Sequence, residues 1–256
     1  MVPALFVAHG IPSIVLESSR YTKFLRQLGM LLPKPTGIVI LSAHWEDAIQ
    51  QIAAAPQPET MYDFFGYPPQ LYEMTYPASG DLVLSLEIES LFAAEGIRCE
   101  LNHHRGLDHG AWSVLSLMYP AAAIPVVALS VNPRLVPEEQ YRIGRALLPL
   151  RAKNIMIIGS GGTVHNLSKL QWNNDAADRW AIRFDQWLAE AVSVWDLEAL
   201  FDYEQRAPYA ADAAPTKEHL MPLFIAMGAG DKHRSGRLLH QQYDYGTMSL
   251  MTWMFK

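Results

Sequence analysis

The stretch GIVILSAHWE, residues 37–46, decides how the rest of the chain is read. Ile38, Val39, Ile40 and Leu41 form an unbroken apolar run of strand length, the pattern of a buried strand. Ser42 and Ala43 follow, and then His44, a residue type that local turn chemistry does not favour where a strand ends. Apolar runs at 4–8, 124–131 and 154–160 repeat the pattern. Between them lie longer amphipathic segments, and this alternation predicts an α/β fold.

The clearest of those segments begins after Asn173 and Asn174. It places Trp180, Phe184, Trp187, Leu188, Ala191, Val192 and Trp195 on one face at spacings of three and four. Further helices are predicted over 18–32, 80–95, 111–118, 137–150 and 216–227. The piece from 56 to 77, rich in Pro, Tyr and Phe, is the longest irregular segment, and a loop that long in a compact domain is commonly functional. It is the first candidate for a lid or a pocket wall. Its aromatic residues, Tyr62, Phe64, Phe65, Tyr67, Tyr72 and Tyr76, either pack the loop onto the core or line a pocket for a flat ring.

Three histidines occupy equivalent places. His9 closes ALFVAHG, His44 closes the run above, and His165 follows NIMIIGS after a small turn. In an open α/β sheet the ligand crevice lies beyond the carboxyl ends of the strands, so these three residues are expected to converge. Taken singly, each is readable as a hydrogen-bonded turn residue; together they point to a shared site. Imidazole suits zinc, iron, copper or nickel, and the single cysteine, Cys99, removes a thiolate zinc site and a disulfide framework.

Two more histidines bear on the site. His109, in GLDHGAW, sits in a turn that can present its ring to a pocket, although Asp108 and His109 also suit a plain helix start. His219 lies in APTKEHLMPLF, where Thr216 can cap a helix and Glu218 favours its dipole; spacing alone makes His219 a surface helix residue. His103, His104, His233 and His240 read as surface residues. Gly159-Ser-Gly-Gly162 lacks the Lys-Ser/Thr of a P-loop and reads as a tight turn presenting His165.

Half of the 256 residues are apolar and 18% are charged, which suits one large domain or two closely fused lobes with a sizeable core. A formal net charge of −6 and the absence of a basic run argue against a nucleic-acid partner. No apolar run approaches the roughly 20 residues of a membrane span, and MVPALFVAHG has no basic leader region. The expectation is a soluble cytoplasmic protein.

The segments AHGIPS, LSAHWE, YDFFGYPPQLYEMTYPASG, GLDHGAW, IIGSGGTVHNL and APTKEHLMPLF, taken together and in this order, resemble the class III extradiol ring-cleavage dioxygenases, and within them the 4,5-DOPA dioxygenase family. The resemblance runs from residue 9 to about residue 224. It implies a single α/β domain over 1–256 with a central mixed β-sheet flanked by helices, and one metal at the carboxyl ends of the strands. It also implies His9, His44 and His219 as metal ligands, His165 as a fourth ligand or an acid/base, and His109 as the histidine that contacts oxygen or substrate.

The expected activity is extradiol cleavage of a catechol such as L-DOPA by O2, with Fe(II) as cofactor. An all-histidine set also holds Zn(II), so a zinc-dependent amide or ester hydrolase is the alternative, and a non-enzymatic interaction protein on the same fold is a third reading. On a helix Glu218 and His219 would point about 100° apart, so both cannot easily face one ion, and the resemblance implies His219 as the ligand of the two.

Overall fold

Alternation along each apolar run decides which layer of the core a residue joins. In the computed structural model, which describes residues 1–174 and 176–256, the strands are β1 (Ala4–Ala8), β2 (Gly37–Glu46), β3 (Gln50–Ala53), β4 (Cys99–Asn102), β5 (Val126–Val131), β6 (Ile155–Gly161), β7 (Gly236–His240), β8 (Tyr243–Asp244), β9 (Met248–Ser249) and β10 (Thr252–Phe255). Ala4 and Phe6 of β1, Val39 and Leu41 of β2 and Ile157 of β6 join one apolar cluster. Leu5, Val7, Ile38, Ile40 and Ile158 join a second cluster on the opposite face. Both faces are buried, which is why these strands read as continuous rather than alternating apolar runs.

Helices α1 (Arg20–Leu31), α2 (Pro69–Tyr72), α3 (Leu82–Ala94), α4 (His109–Met118), α5 (Pro137–Leu147), α6 (Arg179–Ser193), α7 (Leu197–Phe201), α8 (Tyr203–Arg206), α9 (Ala210–Ala213) and α10 (Met221–Ala229) complete the chain. Residues of α3, α5, α6 and α10 cover the first face, and residues of α1 and α4 the second. Among the described residues no helix is long and apolar enough to cross a membrane.

Eight strands form one mixed sheet in the order β4-β3-β5-β2-β6-β1-β10-β7. Its centre is parallel: β5, β2, β6 and β1 run the same way. The flanks are reversed, with β3 antiparallel to β5 and β10 antiparallel to β1 and β7. The expected single α/β domain with a mixed central sheet is therefore found. The sheet also holds four short strands, β3, β4, β7 and β10, that the apolar pattern did not predict.

Proline sets two helix limits differently from expectation. The predicted helix 216–227 begins only at Met221, because Pro222 has no N–H and fits the first turn but not a helix interior. The predicted helix 137–150 likewise stops at Leu147, with Pro149 opening a 3-10 turn over Leu148–Lys153. Trp195 stays in the core although it lies beyond α6 with φ 58°. His240, expected at the surface, is buried at the end of β7. Its ring stacks 4.6 Å from Phe24 and 5.1 Å from Tyr21, because α1 folds over that flank of the sheet.

Helices α5 and α10 cross at a pair of glycines. A Cβ on Gly144 would lie 1.9 Å from the carbonyl oxygen of Ile225, and one on Gly228 would lie 2.0 Å from that of Tyr141. Backbone contacts at both points cannot yield as a side chain can, so overpacking here is costly. Gly144→Ala is expected to lower unfolding stability by about 1–3 kcal/mol; urea unfolding with an unchanged midpoint would contradict this close crossing.

Candidate active site

Strands β2, β6 and β1 are neighbours and parallel, so their carboxyl ends open on one edge of the sheet. His9 follows β1 directly. His44 does not end its strand as expected: β2 runs on to Glu46, and its pairing with β5 shifts register between Leu41 and Glu46. His165 lies just past β6, with its backbone N–H donated to the Ala213 carbonyl at 2.8 Å.

His219 sits in the turn before α10, buried rather than on a helix surface. The Gly162 N–H donates to its carbonyl at 2.8 Å. A Cβ on Gly161 would meet that carbonyl oxygen at 2.1 Å, and one on Gly159 would meet the Pro222 oxygen at 2.2 Å. The glycine motif thus does more than form a turn before His165: it lets the backbone of the His219 turn lie against β6.

The rings of His9, His44 and His219 form a nearly equilateral triangle, with centroids 4.8, 5.1 and 5.0 Å apart. His109 lies 4.0 Å from His44 and 5.6 Å from His9. His165 stacks on His219 at 3.4 Å with the planes 7° apart. Donor atoms of His9, His44 and His109 fall within 4.8 Å of one another, as do those of His165, Glu218 and His219. All five histidines singled out in the sequence therefore meet.

For His9 and His219 a partner on one ring nitrogen sets the tautomer. The Ser160 hydroxyl donates to the Gly110 carbonyl at 2.5 Å, so its oxygen accepts from His9 Nδ1 at 3.0 Å. His219 Nδ1 donates to Glu218 Oε1 at 2.9 Å, which leaves a buried Nε2 with no partner. His9 Nε2 and His44 Nε2 face each other at 3.1 Å. Two ring nitrogens this close need a proton or a cation between them. Orphaned and facing lone pairs of this kind fit a metal ion, and carboxylate or hydroxyl partners behind the ligands are the usual support of such a site.

Burial, reinforced by the neighbouring imidazoles, holds His9, His44 and His219 below the ordinary histidine value and His165 down at about 3. The rings are neutral near pH 7, as metal ligation requires. Burial pushes Glu218 up, but its hydrogen bonds from His219 and Thr216 outweigh this and bring it to about 2.

Asp63 was not found by sequence reasoning. Its Oδ1 accepts the His109 backbone N–H and its Oδ2 accepts His109 Nδ1, both at 2.9 Å, while Oδ2 also lies 3.5 Å from His44 Nδ1. Those bonds overcome burial and keep its carboxyl below the usual range. Asp108 caps α4 through Ala111 N–H at 3.1 Å and is held by Ser42 and Arg105. Asp108 therefore starts the helix as read, and His109 beside it lies with His9 and His44 at the sheet edge.

The aromatic loop divides its roles. Tyr76 is 2% exposed and bonds the Tyr119 carbonyl, so it packs the loop down. Phe64 stands edge-on to His109 at 5.7 Å and forms a wall beside the site. Phe65, 93% exposed, does neither. On the other side, Leu167, Pro215, Thr216 and Glu46 border a cavity of about 440 Å³ that reaches His44, His165 and His219.

The chain matches the family model of the catalytic LigB subunit of aromatic ring-opening dioxygenase over residues 7–255. It is 37% identical to a 4,5-DOPA dioxygenase extradiol of Beta vulgaris, covering 98% of this chain and 95% of the relative. It is 35% identical to the protein of that name from Escherichia coli K12, over 98% of this chain and 93% of the relative. The crystal structure of an uncharacterized Escherichia coli K12 protein superimposes with a TM-score of 0.85 at 31% identity, covering both chains completely. With its histidines gathered at one sheet edge, the chain belongs to the LigB family of class III extradiol ring-cleavage dioxygenases.

Proposed function

We propose that the protein opens the ring of a catechol such as L-DOPA with O2 by 4,5-extradiol cleavage, to a seco-DOPA semialdehyde, at a mononuclear Fe(II) held by His9, His44 and His219. The observation that carries this reading is the triangle of imidazole rings in which His9 Nε2 and His44 Nε2 face each other at 3.1 Å and His219 Nε2 is buried without a partner, with Ser160 and Glu218 holding the other nitrogens of His9 and His219. Bound iron supplies the redox-active centre through which catecholate and dioxygen exchange electrons. Zinc fits the same nitrogens but has no redox chemistry, so the metal found after purification is a poor guide to activity.

His165 is an acid/base in this reading rather than a fourth ligand. Its ring lies face to face on that of His219, 3.4 Å away with the planes 7° apart, so His9, His44 and His219 would hold the metal and His165 would be left to exchange protons beside it. His109 donates a hydrogen bond from Nδ1–H to Asp63, so Nε2 is the atom that takes a proton from a catechol hydroxyl and returns it as the ring opens. Phe64 and the loop behind it keep water from that side of the ring.

Oxygen uptake after anaerobic Fe(II) loading and addition of L-DOPA is the first test, with a yellow product expected only in the iron sample. No uptake across a panel of catechols would return the site to zinc-dependent hydrolysis. His44→Ala is expected to lose both bound metal and turnover. His109→Gln should keep the metal and lose about 10²–10⁴ in kcat. Asp63→Asn should lower kcat by about 10–100-fold while the metal stays bound; full activity in that variant would remove its role in orienting His109.

The depressed histidines also set a pH dependence for the metal-free protein. As pH falls through 6.5 the unfolded chain takes up protons that the folded site refuses, down to about 3 for His165, so stability falls with pH in that window. Each such group contributes up to about 1.4 kcal/mol per pH unit. Buried Asp185, raised to about 6, has the opposite sign, as do the raised Glu17 and Glu46, while buried His240 adds to the four site histidines. The thermal midpoint is expected to drop from pH 7 to pH 5, and a flat profile would show the imidazoles to be solvated.

A further inference from the structure

We propose that the cavity sorts catechols by the charge of their side chain: Glu46 holds a cationic amine at the rim, and a catechol whose tail is only a carboxylate is disfavoured. This rests on the ring-cleavage reading for the word catechol, and on the cavity itself for the charge. The charged side chains that line it are the carboxylates Glu46 and Glu218, and no lysine or arginine is among the lining residues.

The two acids differ in what they are free to do. Glu218 is committed, since its Oε1 accepts from both His219 Nδ1 and the Thr216 hydroxyl. Glu46 is exposed, and among the described residues its carboxylate makes no hydrogen bond or ion pair. Nearby cations are engaged elsewhere: Lys169 with Asp212, Lys217 with Glu204, and Arg105 with Asp108 and the His44 carbonyl. A carboxylate brought into the cavity therefore meets like charge and no counter-ion.

The other end of the cavity marks where the ligand's polar head lies. His219 is buried and its Nε2 has no partner, and it lines the same cavity as Glu46. Leu167 and Pro215 supply an apolar flank for the ring. The diol end presents the same groups to every catechol, so discrimination between them falls on the tail. A charge-assisted contact to Glu46 is expected to be worth about tenfold.

The test compares 3,4-dihydroxyphenethylamine, DOPA and 3,4-dihydroxyphenylpropionate, each relative to uncharged 4-methylcatechol. Oxygen uptake with iron-loaded protein gives kcat/KM, and anaerobic equilibrium binding to the same protein gives affinity without turnover. The amine is expected to exceed the carboxylate about tenfold in both, with DOPA between them. Glu46→Gln should bring the ratio towards one and Glu46→Lys should invert it. Equal values for amine and carboxylate, a ratio that neither substitution moves, or no binding by any of the four overturns the proposal. Binding with the expected ratio but no oxygen uptake supports the charge selection and removes ring cleavage instead.

Discussion

Three of the imidazoles that meet at the sheet edge have one nitrogen to spare because something behind them holds the other. Ser160 does this for His9, Glu218 for His219 and Asp63 for His109. Neutral rings placed with their lone pairs facing one another repel, so the arrangement persists only where the scaffold over-determines it. Three adjacent parallel strands are such a scaffold, since they end together and cannot slide without turning every apolar residue to the wrong face. Ser160 lies on β6, the strand between the two that deliver His9 and His44, so the support and the imidazoles are parts of one sheet.

The fourth element of the site comes from outside the sheet and is held by backbone rather than by side chains. The turn carrying His219 rests on the glycines of β6, and α10 behind it locks onto α5 through the Gly144 and Gly228 crossing. A helix that approaches so closely has little freedom to shift, which fixes the origin from which the turn projects. Site geometry is in this sense a packing result: the positions of His9, His44 and His219 follow from which residues lack a Cβ as much as from which residues carry an imidazole.

What the sequence disclosed follows from the range of each signal. The central strands were legible because burial on both faces writes a continuous apolar run, and the convergence of His9, His44 and His165 followed from the rule that parallel strands end at a common crevice. Strands β3, β4, β7 and β10 were missed because four- and five-residue flanking strands mix polar and apolar residues and carry little periodicity. Pro149 and Pro222 were available in the sequence as helix limits and went unused. His219 was placed by resemblance alone, its local spacing pointing to a helix surface. Asp63 had no local signal: its partner is 46 residues away, and nothing near either residue announces the pairing.

Asp63 also belongs to the aromatic loop, and this joins two things that are usually separate. The carboxylate that aligns His109 rides on the segment whose Tyr76 is sunk in the core and whose Phe64 flanks the site. Swinging that segment outward to admit a ring would withdraw the carboxylate from His109 and His44 together. The loop is consequently a jamb and not a door, and the cavity that reaches His44, His165 and His219 is bordered by other segments, those of Leu167 and Pro215.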